Sequence, residues 1–117
     1  ALSYSGRCEL ARAARLIAEK VKAGVLAPEA VDQETVAAHL YTPDVPDPDL
    51  IIRTSGEMRV SNFLLWQCAY SEFYVTPVLW PDFGEADFQA ALSAYAARDR
   101  RYGGVKPAVG GLEVQPC

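Results

Sequence analysis

Two arginines, a serine and two glutamates stand close together in the stretch Asp49 to Phe83: Arg53, Glu57, Arg59, Ser61 and Glu72. Guanidinium groups bind phosphate oxygens through paired hydrogen bonds. A serine capping a helix sits where backbone amides point at an anion. Arg53, Arg59 and Ser61 together therefore suit a diphosphate. For Arg53 a simple ion pair with Glu57 or a nearby aspartate stands beside that reading. Glu57 and Glu72 are candidate magnesium ligands, since a hard cation held on phosphate oxygens needs only one or two protein carboxylates; either also suits a helix end. Glu72 lies eleven residues beyond Ser61, roughly 16 Å along a helix at ~1.5 Å per residue. One helix cannot bring both to one phosphate, so a metal, a long substrate or a neighbouring subunit would have to bridge them.

The elements that must carry these residues follow from spacing. Leu50, Ile51 and Ile52 form an apolar run after Pro48, the pattern of a strand buried on both faces, and a Thr-Ser-Gly turn follows it. Arg53 then lies at a strand's carboxyl end, where parallel sheets bind ligands. Ser61 is expected to cap a helix from Asn62 to about Ser71, with Phe63, Leu64, Trp66, Gln67 and Tyr70 giving it a mostly apolar surface. Upstream, Leu10, Ala13, Ala14, Ile17 and Val21 predict an amphipathic helix over 7–23, stopped by Gly24, with its opposite face solvated. Asp32 caps a second helix running to about Tyr41, with Val31 and Val36 placed as a hydrophobic staple. Phe73 to Thr76 and Val78 to Trp80 are short strand candidates. A last helix spans about Glu85 to Arg101, carries Phe88, Ala91, Leu92 and Tyr95 on one face, and stops at Gly103 and Gly104. The fold class is α/β, a mainly parallel sheet covered by helices. Residues 1–104 form part of a single domain and 105–117 a flexible tail.

The chain has 117 residues, half of them hydrophobic and 22% charged, enough for one modest core. Eleven Lys and Arg are spread along it under a net charge of −4, which argues against nucleic-acid coating. Cys8, Cys68 and Cys117 lack zinc-site spacing and read as free thiols. No apolar run approaches the ~20 residues that cross a bilayer. His39 reads as structural or capping. Trp66, Tyr70, Phe73, Tyr74 and Trp80 suit a hydrocarbon pocket, a subunit interface or plain core packing. Arg98, Arg100 and Arg101 crowd the last helix end, where cations offset the helix dipole.

The motif IRTSGEMRVSNFLLWQCAYSE at residues 51–72 resembles the cis-prenyltransferase family, the undecaprenyl diphosphate synthase-like enzymes. LWPDF at 79–83, RDRRYGG at 98–104 and, more weakly, ALSYSGRCEL at 1–10 extend the resemblance. It implies the C-terminal portion of that family's fold. It also implies an enzyme that joins isopentenyl diphosphate to an allylic diphosphate with a cis double bond, giving a polyprenyl diphosphate. Arg53, Arg59 and Ser61 would bind the diphosphate of isopentenyl diphosphate, and Glu72 would assist magnesium. Arg101 and Gly103 match the family's R-x-G motif, which reaches into the partner subunit's active site, so a homodimer or heterodimer is implied. The resemblance further implies a membrane-destined lipid product, peripheral membrane association, and a cytoplasmic or plastid stromal location. The family's phosphate loop, H-x-x-D-G-N-x-R, with its metal-binding aspartate, is absent from these residues, so this piece alone is expected to be inactive. SYSG at 3–6 stands where many bacterial members have NYGG. A non-catalytic partner subunit of a heteromeric enzyme and a diphosphate-binding module without chemistry are the alternatives.

Overall fold

A computed structural model of the chain describes residues 2–98. Helix α1 (Gly6–Lys22) begins where the Ser5 hydroxyl accepts the Cys8 N–H, and Lys20 and Lys22 complement the dipole in its last turn. Its end is closed by Ala23 and by Gly24 at φ +70°, a left-handed position that suits glycine. The buried face runs through Gly6, Glu9, Ala13 and Ile17. Leu10 is half-buried and Ala14 exposed, so the inward stripe is rotated from the one read off the sequence.

Helix α2 (Gln33–Ala37) is capped by Asp32, whose carboxylate accepts the Thr35 N–H at 2.8 Å. That bond, with the Thr35 hydroxyl first, lowers the Asp32 pKa. The helix ends well before Tyr41 because His39 and Leu40 bond back three residues, to Val36 and Ala37, and tighten the chain. α1 packs on α2.

Strand β1 (Leu50–Arg53) pairs in parallel with β2 (Glu72–Val75), in the register Leu50↔Glu72, Ile51↔Phe73, Ile52↔Tyr74 and Arg53↔Val75. β1 is half-buried along its length, where burial on both faces was expected; β2 is its partner among the described residues. Parallel strands need a crossover, commonly a helix. Here residues 54–71 cross over as a succession of turns.

The helix expected from Asn62 to Ser71 is thus not present. Ser61, Asn62 and Leu64 have φ of 54°, 64° and 46°, in the left-handed region that a right-handed helix cannot include. Asn62 is held there by other partners. Its carbonyl accepts the Gly6 N–H at 2.9 Å, its side-chain oxygen accepts the Arg7 N–H at 2.9 Å, and its amide donates to the Ser5 hydroxyl at 2.8 Å. Three bonds to the start of α1 replace those of a local helix.

Val78–Trp80 is likewise no strand. Trp80–Asp82 forms a 3-10 turn around Pro81, and the Val78 N–H turns back to the Thr76 hydroxyl. Helix α3 (Glu85–Ala96) starts at Gly84, whose N–H donates to Asp87. It packs on β2 and buries Ala91, while Phe88 and Leu92 stay partly exposed. It stops before the expected Arg101. The Ala97 N–H closes it, and Arg98 turns back to donate to Glu72 and to the Phe73 carbonyl. The expected stop at Gly103 and Gly104 and the tail 105–117 lie outside the described residues.

Ala13, Ile17, Leu40 and Ala91 form the apolar core among the described residues, joined by buried Glu9, Gln67 and Thr76. No described helix is long and apolar enough to cross a membrane.

Candidate anion-binding site

β1 delivers Arg53 at its carboxyl end, and the ladder continues through the Thr76 N–H to the Arg53 carbonyl at 2.9 Å. The chain then turns through Ser55 and Gly56, at φ 64° and 67°. Both are fastened to the segment after β2, Ser55 N–H to the Val78 carbonyl at 2.9 Å and Gly56 N–H to the Thr76 carbonyl at 2.8 Å. Such a turn presents the next side chain, Glu57, from a fixed backbone.

Arg53, Arg59 and Ser61 do come together. Arg53 Nη2 lies 3.3 Å from Glu57 Oε2 and 3.4 Å from the Ser61 hydroxyl, and Arg59 Nη2 contacts that same Glu57 oxygen. The ion pair between Arg53 and Glu57 is therefore present alongside the convergence. Arg53 and Glu57 side chains are 33% and 32% exposed and Arg59 68%, so water reaches the second arginine far more than the first. Arg53 Nε is buried without a partner. Both arginines line a cavity of 130 Å³ together with Ile51, Val60, Phe63 and Phe73. Cys68 also lines it, and burial foremost raises its thiol pKa, so that side chain is a neutral wall there. Ser61 offers its hydroxyl but no helix N-terminus, because the helix it was expected to open does not form.

Glu72 is not part of this cluster. It starts β2 opposite Leu50, while Arg53 pairs with Val75 at the other end of the ladder. Three residues of strand separate the two levels, about 10 Å at ~3.3 Å per residue. Its carboxylate accepts from Arg98 Nη1 at 2.6 Å. Glu57, the other candidate metal ligand, is occupied by two guanidiniums. Among the described residues no three His, Cys, Asp or Glu side chains gather as a metal site. Glu57 and Glu72 thus each already face a guanidinium. Arg101 and Gly103 lie outside the described residues.

The aromatic residues disperse. Phe73 lines the arginine cavity, Trp66 and Tyr70 line a separate 370 Å³ cleft with Glu34 and Asp47, and Trp80 stacks on Phe83 at the surface. His39 Nδ1 donates to the Thr35 carbonyl at 2.6 Å, the structural role expected of it.

The sequence reading passed over the groups that hold the site in place. Glu9, 1% exposed, accepts from the Tyr4 hydroxyl, from the Tyr41 N–H at 2.8 Å and from Gln67 Nε2 at 3.2 Å. Tyr4 in turn meets the Phe63 ring edge-on at 5.6 Å. The signal was available, because Glu9 precedes Ala13 by four residues and Ile17 by eight, on the same helix face. Gly6 was also passed over. A Cβ there would lie 2.8 Å from Leu65 Cγ and 3.0 Å from the Asn62 carbonyl oxygen.

The family model described as undecaprenyl diphosphate synthase matches residues 1–103. An isoprenyl transferase of Heliobacterium mobile is 54% identical over 106 residues, covering 91% of this chain and 41% of that one. An isoprenyl transferase of Brucella abortus biovar 1 (strain 9-941) is 56% identical over 107 residues, covering 92% and 42%. Among solved structures, lavandulyl diphosphate synthase from Lavandula x intermedia, in complex with dimethylallyl diphosphate, superposes with a TM-score of 0.83 at 50% identity. That match covers 86% of this chain and 44% of the synthase. The chain spans less than half the length of these relatives.

Proposed function

Because the chain belongs to the undecaprenyl diphosphate synthase family of prenyltransferases, we propose that it supplies the isopentenyl diphosphate site of a cis-prenyltransferase. The observation that carries this reading is the convergence of Arg53, Arg59 and Ser61 beside a small, largely apolar cavity. At ~30 Å³ per water in the liquid, 130 Å³ amounts to about four waters. That is room for a short branched hydrocarbon next to a diphosphate. The bound dimethylallyl diphosphate of the Lavandula synthase supports an allylic diphosphate as the second substrate.

In the proposed reaction the allylic diphosphate ionises, the double bond of isopentenyl diphosphate attacks the carbocation, and loss of a proton leaves a cis double bond. Arg53 and Arg59 bind the isopentenyl diphosphate through charge-assisted hydrogen bonds and orient its double bond, with the Ser61 hydroxyl as a further donor. Ile51, Val60, Phe63 and Phe73 keep water from the hydrocarbon end. Magnesium is implied by the family; Glu72 would help to hold it, and the ion would offset the charge of the departing diphosphate. Dimerisation through Arg101 and Gly103, and a cytoplasmic or plastid location with peripheral membrane contact, belong to the same proposal.

The test is Arg53→Ala in the full-length protein, with isopentenyl diphosphate turnover as the readout. Losing a charged phosphate contact costs about 1.5–3 kcal/mol, a fall in kcat/KM of roughly 12- to 160-fold. Unchanged kinetics would refute the assignment. Diphosphate binding without any prenyl product would leave only a binding module.

A further inference from the structure

We propose that Glu57 is the positioning residue of this site, a carboxylate clamp that holds the two guanidiniums side by side so that their remaining donors meet one diphosphate; this rests on the reading above. One oxygen, Oε2, faces Nη2 of both Arg53 and Arg59. Two like charges on flexible stems separate unless something of opposite sign lies between them, and Arg59, 68% exposed, has solvent to move into. A guanidinium carries five N–H donors, and the clamp engages one amino group of each. Arg53 Nε remains buried and unpaired. Glu57 does not line the 130 Å³ cavity that both arginines line, so it grips them without filling it. Its own backbone is fixed by the left-handed turn at Ser55 and Gly56, bonded to Val78 and Thr76.

The proposal makes a prediction of unexpected sign. Removing a negative charge beside an anion site strengthens anion binding if bulk electrostatics governs. Removing a clamp weakens it, because the arginines must be reordered on binding.

The experiment is calorimetric titration of the full-length protein with inorganic pyrophosphate under chelator. The variants are Glu57→Ala, Glu57→Gln, Arg53→Ala, Arg59→Ala and the double variant Glu57→Ala with Arg59→Ala. Glu57→Ala is expected to bind about tenfold more weakly with an unchanged thermal midpoint. Glu57→Gln keeps an acceptor oxygen and recovers part of the loss. In the Arg59→Ala background Glu57→Ala weakens nothing further, since no pair is left to hold. Should Glu57→Ala fail to fold, Glu57→Gln carries the comparison: weaker binding upholds the clamp. Equal or tighter binding by the Glu57 variants, with binding still lost in Arg53→Ala, overturns the clamp alone. Pyrophosphate binding that is absent, or indifferent to Arg53→Ala, overturns the clamp and the functional reading together.

Discussion

Replacing Glu9 with alanine removes the acceptor for three donors at once: the Tyr4 hydroxyl, the Tyr41 N–H and Gln67 Nε2. A buried donor left unsatisfied costs about 1–3 kcal/mol, and three such costs are not additive. Two effects work the other way. The carboxylate no longer has to be stripped of water, and truncation opens room through which water reaches Tyr4, which is only half-buried. The balance is a loss of about 3 kcal/mol, a large share of the ~5–15 kcal/mol that holds a typical domain together. Glu9→Gln keeps one acceptor oxygen for Tyr41 and Gln67, while the Tyr4 hydroxyl can accept from the new amide, so about 1 kcal/mol is expected. Glu9→Leu fills the space, excludes water and accepts nothing, and should be at least as damaging as alanine. Urea unfolding followed by tryptophan fluorescence measures all three. A leucine variant as stable as the parent would show that Glu9 acts through packing, and the hydrogen-bond account would be wrong.

Gly6→Ala puts a methyl group 2.8 Å from Leu65 Cγ and 3.0 Å from the Asn62 carbonyl, and backbone cannot yield as a flexible side-chain end can. A destabilisation of about 1–3 kcal/mol by urea unfolding is expected, and no loss would mean the crossover turns adapt freely. The Tyr4 pKa is pushed from 10.0 up to about 12, by burial first and then by its bond to Glu9. The folded state therefore favours the protonated phenol, and this stabilisation is complete below pH 10 and lost as pH rises through about 12. Unfolding midpoints measured at about pH 9 and about pH 11 should fall less in Tyr4→Phe than in the parent; equal slopes would remove Tyr4 from the account.

The features most legible in the sequence were those governed by local rules. The periodicity and Gly24 located α1, the Asp32 cap located α2, and the apolar run after Pro48 located β1 with Arg53 at its end. Local rules failed where a distant partner decided the conformation. Residues 62–71 have the composition of a mostly apolar helix, but Asn62 is held left-handed by three bonds to Ser5, Gly6 and Arg7. Glu9 shares the face of Ala13 and Ile17, but a lone charge there suggests solvent, and it is buried because Tyr4, Tyr41 and Gln67 converge on it from other segments. Arg98 ends α3 early for a similar reason, since its partners Glu72 and Phe73 belong to β2. The proximity of Arg53, Arg59 and Ser61 was readable, and the Arg53–Glu57 pair was among the readings. That Arg59 shares the same carboxylate oxygen is set by a turn whose bonds run to Thr76 and Val78.

The Asn62 bonds also bear on the order of folding. They join positions 55 and 57 apart in the chain, so a long loop must close before the turn beside Ser61 is secured. Closure of that kind is entropically slow compared with coiling a helix, which completes within microseconds. The nascent chain should therefore hold a formed α1 well before Asn62 reaches Ser5 and Arg7 and secures the turn beside Ser61.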